Sequence, residues 1–222
     1  MSRTIDFDDN DDLAFFGKVN ASISHELKNI LAIISEAAGL LQDLTEMASQ
    51  GKKIELEMLK TCSQDIVEEI QRGFATIKQM NKFSHSVDDP AKRVNLVEVV
   101  DLTIALAKFL SFASKVRFDP PSEDAPMVLT CPIRLQNLLY RALIFAFESA
   151  GPDGQIGVAI QPQPDGSAHI AFSGLGSGNG RSFASDRTKI IAASIGINIV
   201  EAPDLQSFEL IVPENPETVG SH

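Results

Sequence analysis

The first 89 residues of this 222-residue chain contain no proline, and all eleven prolines lie from Pro90 onward. Inside a helix, proline removes a backbone donor and clashes with the preceding turn. The first part can therefore carry long unbroken helices, while the second is built from shorter, punctuated elements. The apolar spacing agrees. A helix is expected to start near Asp11 or Asp12, where a run of aspartates suits the positive end of the helix dipole. Apolar residues then step by four and three through Ile23, Leu27, Ile30, Ile34, Ala37, Leu41 and Leu44, the seam of a bundle helix. Ser49-Gln50-Gly51 interrupts the pattern. A second seam follows through Leu59, Cys62, Ile66, Ile70, Phe74, Ile77 and Met80, ending at Ser84-His85-Ser86 and Asp88-Asp89-Pro90. Two long helices joined by a short turn make a helical hairpin over residues 1–90. One hairpin cannot cover its own seam, so the expectation is a homodimer in which two hairpins close an antiparallel four-helix bundle. Packing of the hairpin on the second domain is the competing arrangement.

Residues 91–222 alternate in type. Leu96–Ser114 reads as a helix, and Val116–Asp119 and Met127–Thr130 as short strands. Pro132 fits the first turn of a helix running to about Ala150. Gln155–Gln161 and Ala168–Ser173 alternate as a strand pair around Pro164-Asp165-Gly166. Gly174–Arg181 is a glycine-rich loop. Ser185–Ile195 is a helix capped by Ser185 or Asp186 and ended by Gly196, and Ile197–Val200 and Ser207–Val212 are strands. The sum is a two-layer α/β sandwich, with a tail expected to fray after Pro213. Phe109, Phe112, Phe145 and Phe147 are assigned to its core.

Charge and composition exclude several classes. The net charge is −11 and the pI about 4.8, which argues against a nucleic-acid partner, since such proteins carry a basic face. The acid is spread over the chain, with 9 basic and 16 acidic residues up to Pro90 and 10 and 14 after it. No apolar run approaches the roughly 20 residues of a membrane span, and the N-terminus lacks the order of a signal peptide. Cys62 and Cys131 have neither metal-ligand spacing nor a disulfide framework. A cytoplasmic protein without a membrane partner is expected.

The segment Ser24-His25-Glu26-Leu27-Lys28-Asn29 carries the chemistry. At 100° per residue, His25 lies about 200° from Ile23 and Leu27 and so faces solvent. Asn29, four residues on, shares its face. Ala21 and Ala32 leave that face unshadowed and flat. Imidazole ionises near pH 6.5, about neutrality, so a neutral ring nitrogen is free to attack phosphorus. Glu26 can hydrogen-bond the other nitrogen and orient the ring, and Asn29 can position a water. Taken alone, the same residues also describe an ordinary solvated helix face.

His25-Glu26-Leu27-Lys28-Asn29-Ile30-Leu31 resembles the H-box of two-component sensor histidine kinases, His-Glu-Leu-Lys-Asn-Pro-Leu, with Ile30 in place of the usual proline. The order of hairpin, linker and small α/β domain is also similar to that family, over roughly residues 12–213. The resemblance implies a dimerisation and histidine-phosphotransfer domain at 1–90, followed at 91–222 by a Bergerat-like ATP-binding sandwich. That sandwich departs from the family at three places. The family's N-box, Asn-x-x-x-Asn-Ala, stands here as Asn137-Leu138-Leu139-Tyr140-Arg141-Ala142, so Arg141 takes the place of a magnesium ligand, where a cation repels the metal and offers no oxygen. The adenine-reading Asp-x-Gly-x-Gly stands as Phe172-Ser173-Gly174-Leu175-Gly176, and phenylalanine accepts no hydrogen bond. The later glycine-rich box is replaced by Ser185-Asp186-Arg187-Thr188-Lys189. The glycines at 174, 176, 178 and 180 read as a remnant of the ATP lid, with a phosphate cradle as the alternative.

The expectation is therefore a degenerate kinase core acting as a histidine phosphotransferase. It would shuttle phosphoryl groups between His25 and receiver-domain aspartates, with Glu26 orienting the ring, no cofactor and no metal of its own. Its partners would be response-regulator receiver domains, with a histidine kinase as a further one. Three alternatives keep the fold. They are a phosphatase of a phosphorylated receiver using Asn29, a non-catalytic pseudokinase scaffold, and an active kinase with a divergent nucleotide pocket. His85 is set aside as an acceptor because Phe83-Ser84-His85-Ser86 has no adjacent carboxylate. His169 and His222 are given no role.

Overall fold

The computed structural model describes residues 7–108, 116–121, 124–151, 154–176 and 181–216, with side chains from residue 11 onward. Phe109, Phe112 and the middle of the glycine-rich loop (177–180) lie outside the described residues, as does the expected continuation of the third helix to Ser114. The described chain divides into two compact units, Lys18–Lys82 and the described residues of Met1–Gly17 with Phe83–His222. The first turns of the opening helix thus pack with the sandwich, whereas the sequence had placed the boundary at residue 90.

The hairpin is made by helices α1 (Phe7–Ser49) and α2 (Leu56–Ser84). The opening helix starts before the expected Asp11. Gly51 adopts φ +77° in the connecting turn, a conformation open to glycine because it has no Cβ. Along α1 the seam forms as expected. Ile23, Ile30, Ala37 and Leu44, seven residues apart, are buried, and Leu27, Ile34 and Leu41 are partly so. The second seam needs correction. On α2 the covered line runs through Cys62, Ile66, Glu69, Gly73 and Thr76, while Ile70, Phe74 and Ile77 are exposed, Phe74 by 70%. Small side chains let two helices approach, and a Cβ added at Gly73 would already sit 3.6 Å from Ile30 Cγ2. The apolar stripe of α2 is wider than one neighbour can cover, and the hairpin uses the side bearing glycine and threonine.

In the sandwich unit, α2 ends in a 3₁₀ turn (His85–Val87), followed by β1 (Lys92–Asn95), α3 (Leu96–Lys108), β2 (Val116–Asp119), β3 (Met127–Thr130), α4 (Pro132–Ala150), β4 (Ile156–Pro162), β5 (Ala168–Ser173), α5 (Asp186–Ser194), β6 (Asn198–Glu201) and β7 (Phe208–Val212). The main sheet has the order β2-β4-β5-β7-β6; β2 and β4 are parallel and the other pairs antiparallel. Its buried face is read directly from alternation. Ile156, Val158 and Ile160 on β4, Ala168, Ile170 and Phe172 on β5, and Phe208, Leu210 and Val212 on β7 all enter the core with the apolar faces of α3, α4 and α5. Ser185 caps α5 by accepting from Thr188 N, and Gly196 ends it at φ +70°, both as expected. Strand β1 was not expected. Lys92-Arg93-Val94-Asn95 has too few apolar residues to signal a strand, and it forms by pairing antiparallel with β3.

The tail is ordered beyond Pro213. Leu129 N donates to Glu214 O at 2.9 Å, and Arg93 binds Glu214 and Asn215. These hydrogen bonds hold Glu214 and Asn215 where the sequence leads to an expectation of fraying. No helix among the described residues is long and apolar enough to cross a membrane.

Candidate functional site

In the hairpin unit, His25 and Asn29 are exposed on one face of α1, flanked by exposed Ala21 and Ala32. Asn29 Nδ2 lies 3.3 Å from His25 Nδ1, the contact that the four-residue helical spacing sets up. Glu26 is turned toward α2. It bonds Arg72, whose Nη1 also donates to both oxygens of Glu69, at 3.1 and 3.2 Å. The ring of His25 is therefore oriented by Asn29, and the bond expected from Glu26 goes to Arg72 instead. Helical spacing brings His25 and Asn29 together, while Glu26, a quarter-turn away, faces the neighbouring helix. Arg72 is a residue the sequence reading missed. It lies 46 positions from Glu26, and the local sequence offers only acids of its own helix, Glu68 and Glu69, as partners.

The sandwich unit holds a second polar cluster, where the N-box was placed. Arg134, Asn137 and Arg141 fall on one face of α4 by their spacing of three and four. Asn137 is 1% exposed, and both ends of its amide are used. Nδ2 donates to Asp12 Oδ1 at 3.0 Å, and Oδ1 accepts from Arg141 Nε at 3.0 Å. Arg134 Nε donates to Asp12 Oδ2 at 3.1 Å. Arg141 Nη2 lies 3.6 Å from Asp11 Oδ2, and Arg187 on α5 bonds the same carboxylate. The Arg187 hydrogen bond holds the Asp11 carboxyl below the usual carboxylate range. Burial, with Arg187 nearby, draws Arg141 below the usual guanidinium range, and Asp11 and Asp12 oppose that shift. Asp11 and Asp12, first read for their effect on a helix dipole, serve as the counter-ions of three arginines.

These residues do not fit Mg²⁺–ATP. The oxygen of Asn137 is spent on Arg141, and Arg141 is a cation at the place that the resemblance gives to a magnesium ligand. Phe172 is 1% exposed and stacks on Phe208 with centroids 4.7 Å apart; Phe208 in turn stacks on Phe183 at 4.5 Å. The place that the resemblance gives to the adenine-reading residue thus holds a core aromatic. In the described part of the glycine-rich loop, Leu175 N donates to Gln206 O and Gly176 N to Ser149 O. A Cβ at Gly174 would sit 2.1 Å from Gln155 O, so this glycine serves close backbone approach. The cradle reading loses those two donors, and residues 177–180 of the loop lie outside the described residues.

The other histidines are placed as follows. His85 Nδ1 lies 2.7 Å from Asp88 Oδ2, so the carboxylate missing from its sequence neighbours is supplied three residues on by the 3₁₀ turn. His169 Nδ1 lies 3.0 Å from Glu209 Oε2 on the adjacent strand.

No family model matches the chain, and no curated protein matches it by sequence. Solved structures are similar to it in fold. Among them are the Acinetobacter baumannii histidine kinase AdeS, at 10% identity and TM-score 0.46 over 86% of this chain and 98% of that one. A second is histidine kinase ThkA in complex with the response regulator TrrA, at 18% identity and TM-score 0.44 over 92% of this chain and 64% of that one. A third is a bacterial phosphotransferase, at 12% identity and TM-score 0.45 over 89% of this chain and 95% of that one.

Proposed function

We propose that this chain is a histidine phosphotransferase of a two-component phosphorelay, passing phosphoryl groups between His25 and the aspartates of receiver domains without binding ATP. The observation that carries this reading is the exposed imidazole of His25, engaged at Nδ1 by Asn29, on a chain whose N-box and adenine-reading positions do not fit the nucleotide.

An amide exchanges its oxygen and nitrogen by a half-turn about its last bond. In the structure Nδ2 faces the ring; after that half-turn Oδ1 accepts from Nδ1–H and the lone pair is left on Nε2. Nε2 then attacks the phosphorus of the receiver's aspartyl phosphate. The P–Nε2 bond forms, the bond from phosphorus to the aspartyl oxygen breaks, and the aspartate leaves as a carboxylate. The ring keeps its Nδ1 proton and becomes a phospho-imidazolium, so no proton needs to be moved. The reverse reaction passes the group to a second receiver.

Homodimerisation belongs to the same reading. Val67, Ile70, Phe74 and Ile77 form an uncovered apolar line on α2, spaced three, four and three as in a bundle seam. A second hairpin covers it in the same way that α1 covers the other side. Phe74→Glu is expected to give a monomer by sedimentation at a concentration where the wild type is a dimer. A dimeric Phe74→Glu protein contradicts the proposed face.

Calorimetric titration with ATP, with and without Mg²⁺, tests the nucleotide half of the proposal. No heat is expected into the millimolar range. Micromolar, Mg²⁺-dependent binding overturns it in favour of an active kinase with a divergent pocket.

A further inference from the structure

Arg72 joins two carboxylates from different helices directly beside the proposed acceptor. Glu26 follows His25 in the chain, and its side chain is 15% exposed; Glu69 is 16% exposed, and Arg72 itself 46%. Both acids are thus largely withdrawn from water, while the arginine that bonds them keeps nearly half its surface open. Phosphoryl transfer brings a phosphoryl dianion and a receiver carboxylate to the next residue. An uncompensated Glu26 would repel them, all the more because partial burial weakens screening by solvent.

Resting on the reading of His25 as phosphoryl acceptor, we propose that Arg72 is a positioning residue for phosphoryl transfer. It holds Glu26 toward α2 and neutralises it, so that anions can gather at His25. Its role runs through Glu26, and it touches neither the ring nor the phosphorus. The fork of the guanidinium suits this task, since one nitrogen serves Glu26 and the other grips both oxygens of Glu69.

The test measures the rate of phosphoryl transfer from a phosphorylated receiver to the full chain at low and high salt. Arg72→Gln is expected to slow transfer by about tenfold or more, since it leaves a bare carboxylate beside the reacting group. The defect is expected to shrink as salt rises. Adding Glu26→Gln to Arg72→Gln is expected to restore much of the lost rate, because it removes the charge that Arg72 had compensated. Arg72→Lys, which keeps the charge and loses the fork, is expected to fall between wild type and Arg72→Gln, and it carries the test if Arg72→Gln does not fold. Transfer unchanged in Arg72→Gln, or a salt-independent defect that Glu26→Gln does not relieve, overturns the role of Arg72 and leaves that of His25 standing. A wild type that never becomes phosphorylated at His25 overturns both.

Discussion

His25→Ala is expected to reduce phosphoryl transfer from a phosphorylated receiver to background while leaving the fold and dimer intact. The reason is chemical. Among the described residues α1 carries no second imidazole, so without His25 this face has no ring nitrogen to form the P–N bond. The structural cost is small because His25 is exposed and alanine is the best helix former. A thermal midpoint close to wild type alongside lost transfer is therefore the expected pair of results. Asn29→Ala is expected to act more mildly, slowing transfer about 3- to 10-fold, the worth of one orienting hydrogen bond. The ordering separates transfer from the phosphatase alternative. A phosphatase that uses Asn29 to position water would keep dephosphorylating the receiver in His25→Ala and lose that activity in Asn29→Ala. A scaffold would retain its function in both.

Phe172→Asp is expected to be the most damaging substitution for stability. It restores the residue that the resemblance places there, yet the surroundings are those of a core. Phe172 is packed on Phe208, which Phe183 and Phe145 also contact, and the register sets Phe172 directly opposite Val158 on β4. Losing the ring costs about 3–5 kcal/mol through lost burial and the cavity left behind. A carboxylate there adds the cost of a charge without a partner. For a chain of this length that lowers the unfolding temperature by roughly 10 °C or more. No gain of ATP binding is expected, because Arg141 still stands at the place that the resemblance gives to the metal ligand. A Phe172→Asp protein as stable as wild type, or one that binds ATP, would show that this position faces a nucleotide pocket after all.

The parts of the fold legible in the sequence were those where one local period dictates one partner. Ile23, Ile30, Ala37 and Leu44 repeat every seven residues and are buried together. The strands around Pro164-Asp165-Gly166 alternate cleanly and form the centre of the sheet. The α2 seam was misread because its apolar stripe spans two faces, and periodicity cannot say which of them the first neighbour takes. Gly73 and Thr76, not apolar enough to count in a pattern, allow the close approach. Strand β1 was invisible because its pairing with β3, rather than its composition, makes it a strand.

The site followed the same division. His25 and Asn29 are four residues apart on one helix, so spacing alone predicts their contact. Glu26 to Arg72 and Asp11 to Arg187 are separated by 46 and 176 positions, and no local rule pairs them. The departures from the resembled boxes at Arg141 and Phe172 are legible as residue types. That Asp11 and Asp12 face the cation, and that Phe208 stacks on Phe172, required the tertiary fold.

The most direct measurement is to mix nucleotide-free protein with a receiver carrying labelled phosphate on its aspartate and to map the label by proteolysis and mass spectrometry. The account predicts an acid-labile phosphoryl group on the peptide containing His25, which a second, unlabelled receiver then removes. Label that leaves the receiver only as inorganic phosphate, or that settles on His85 or another residue, contradicts it.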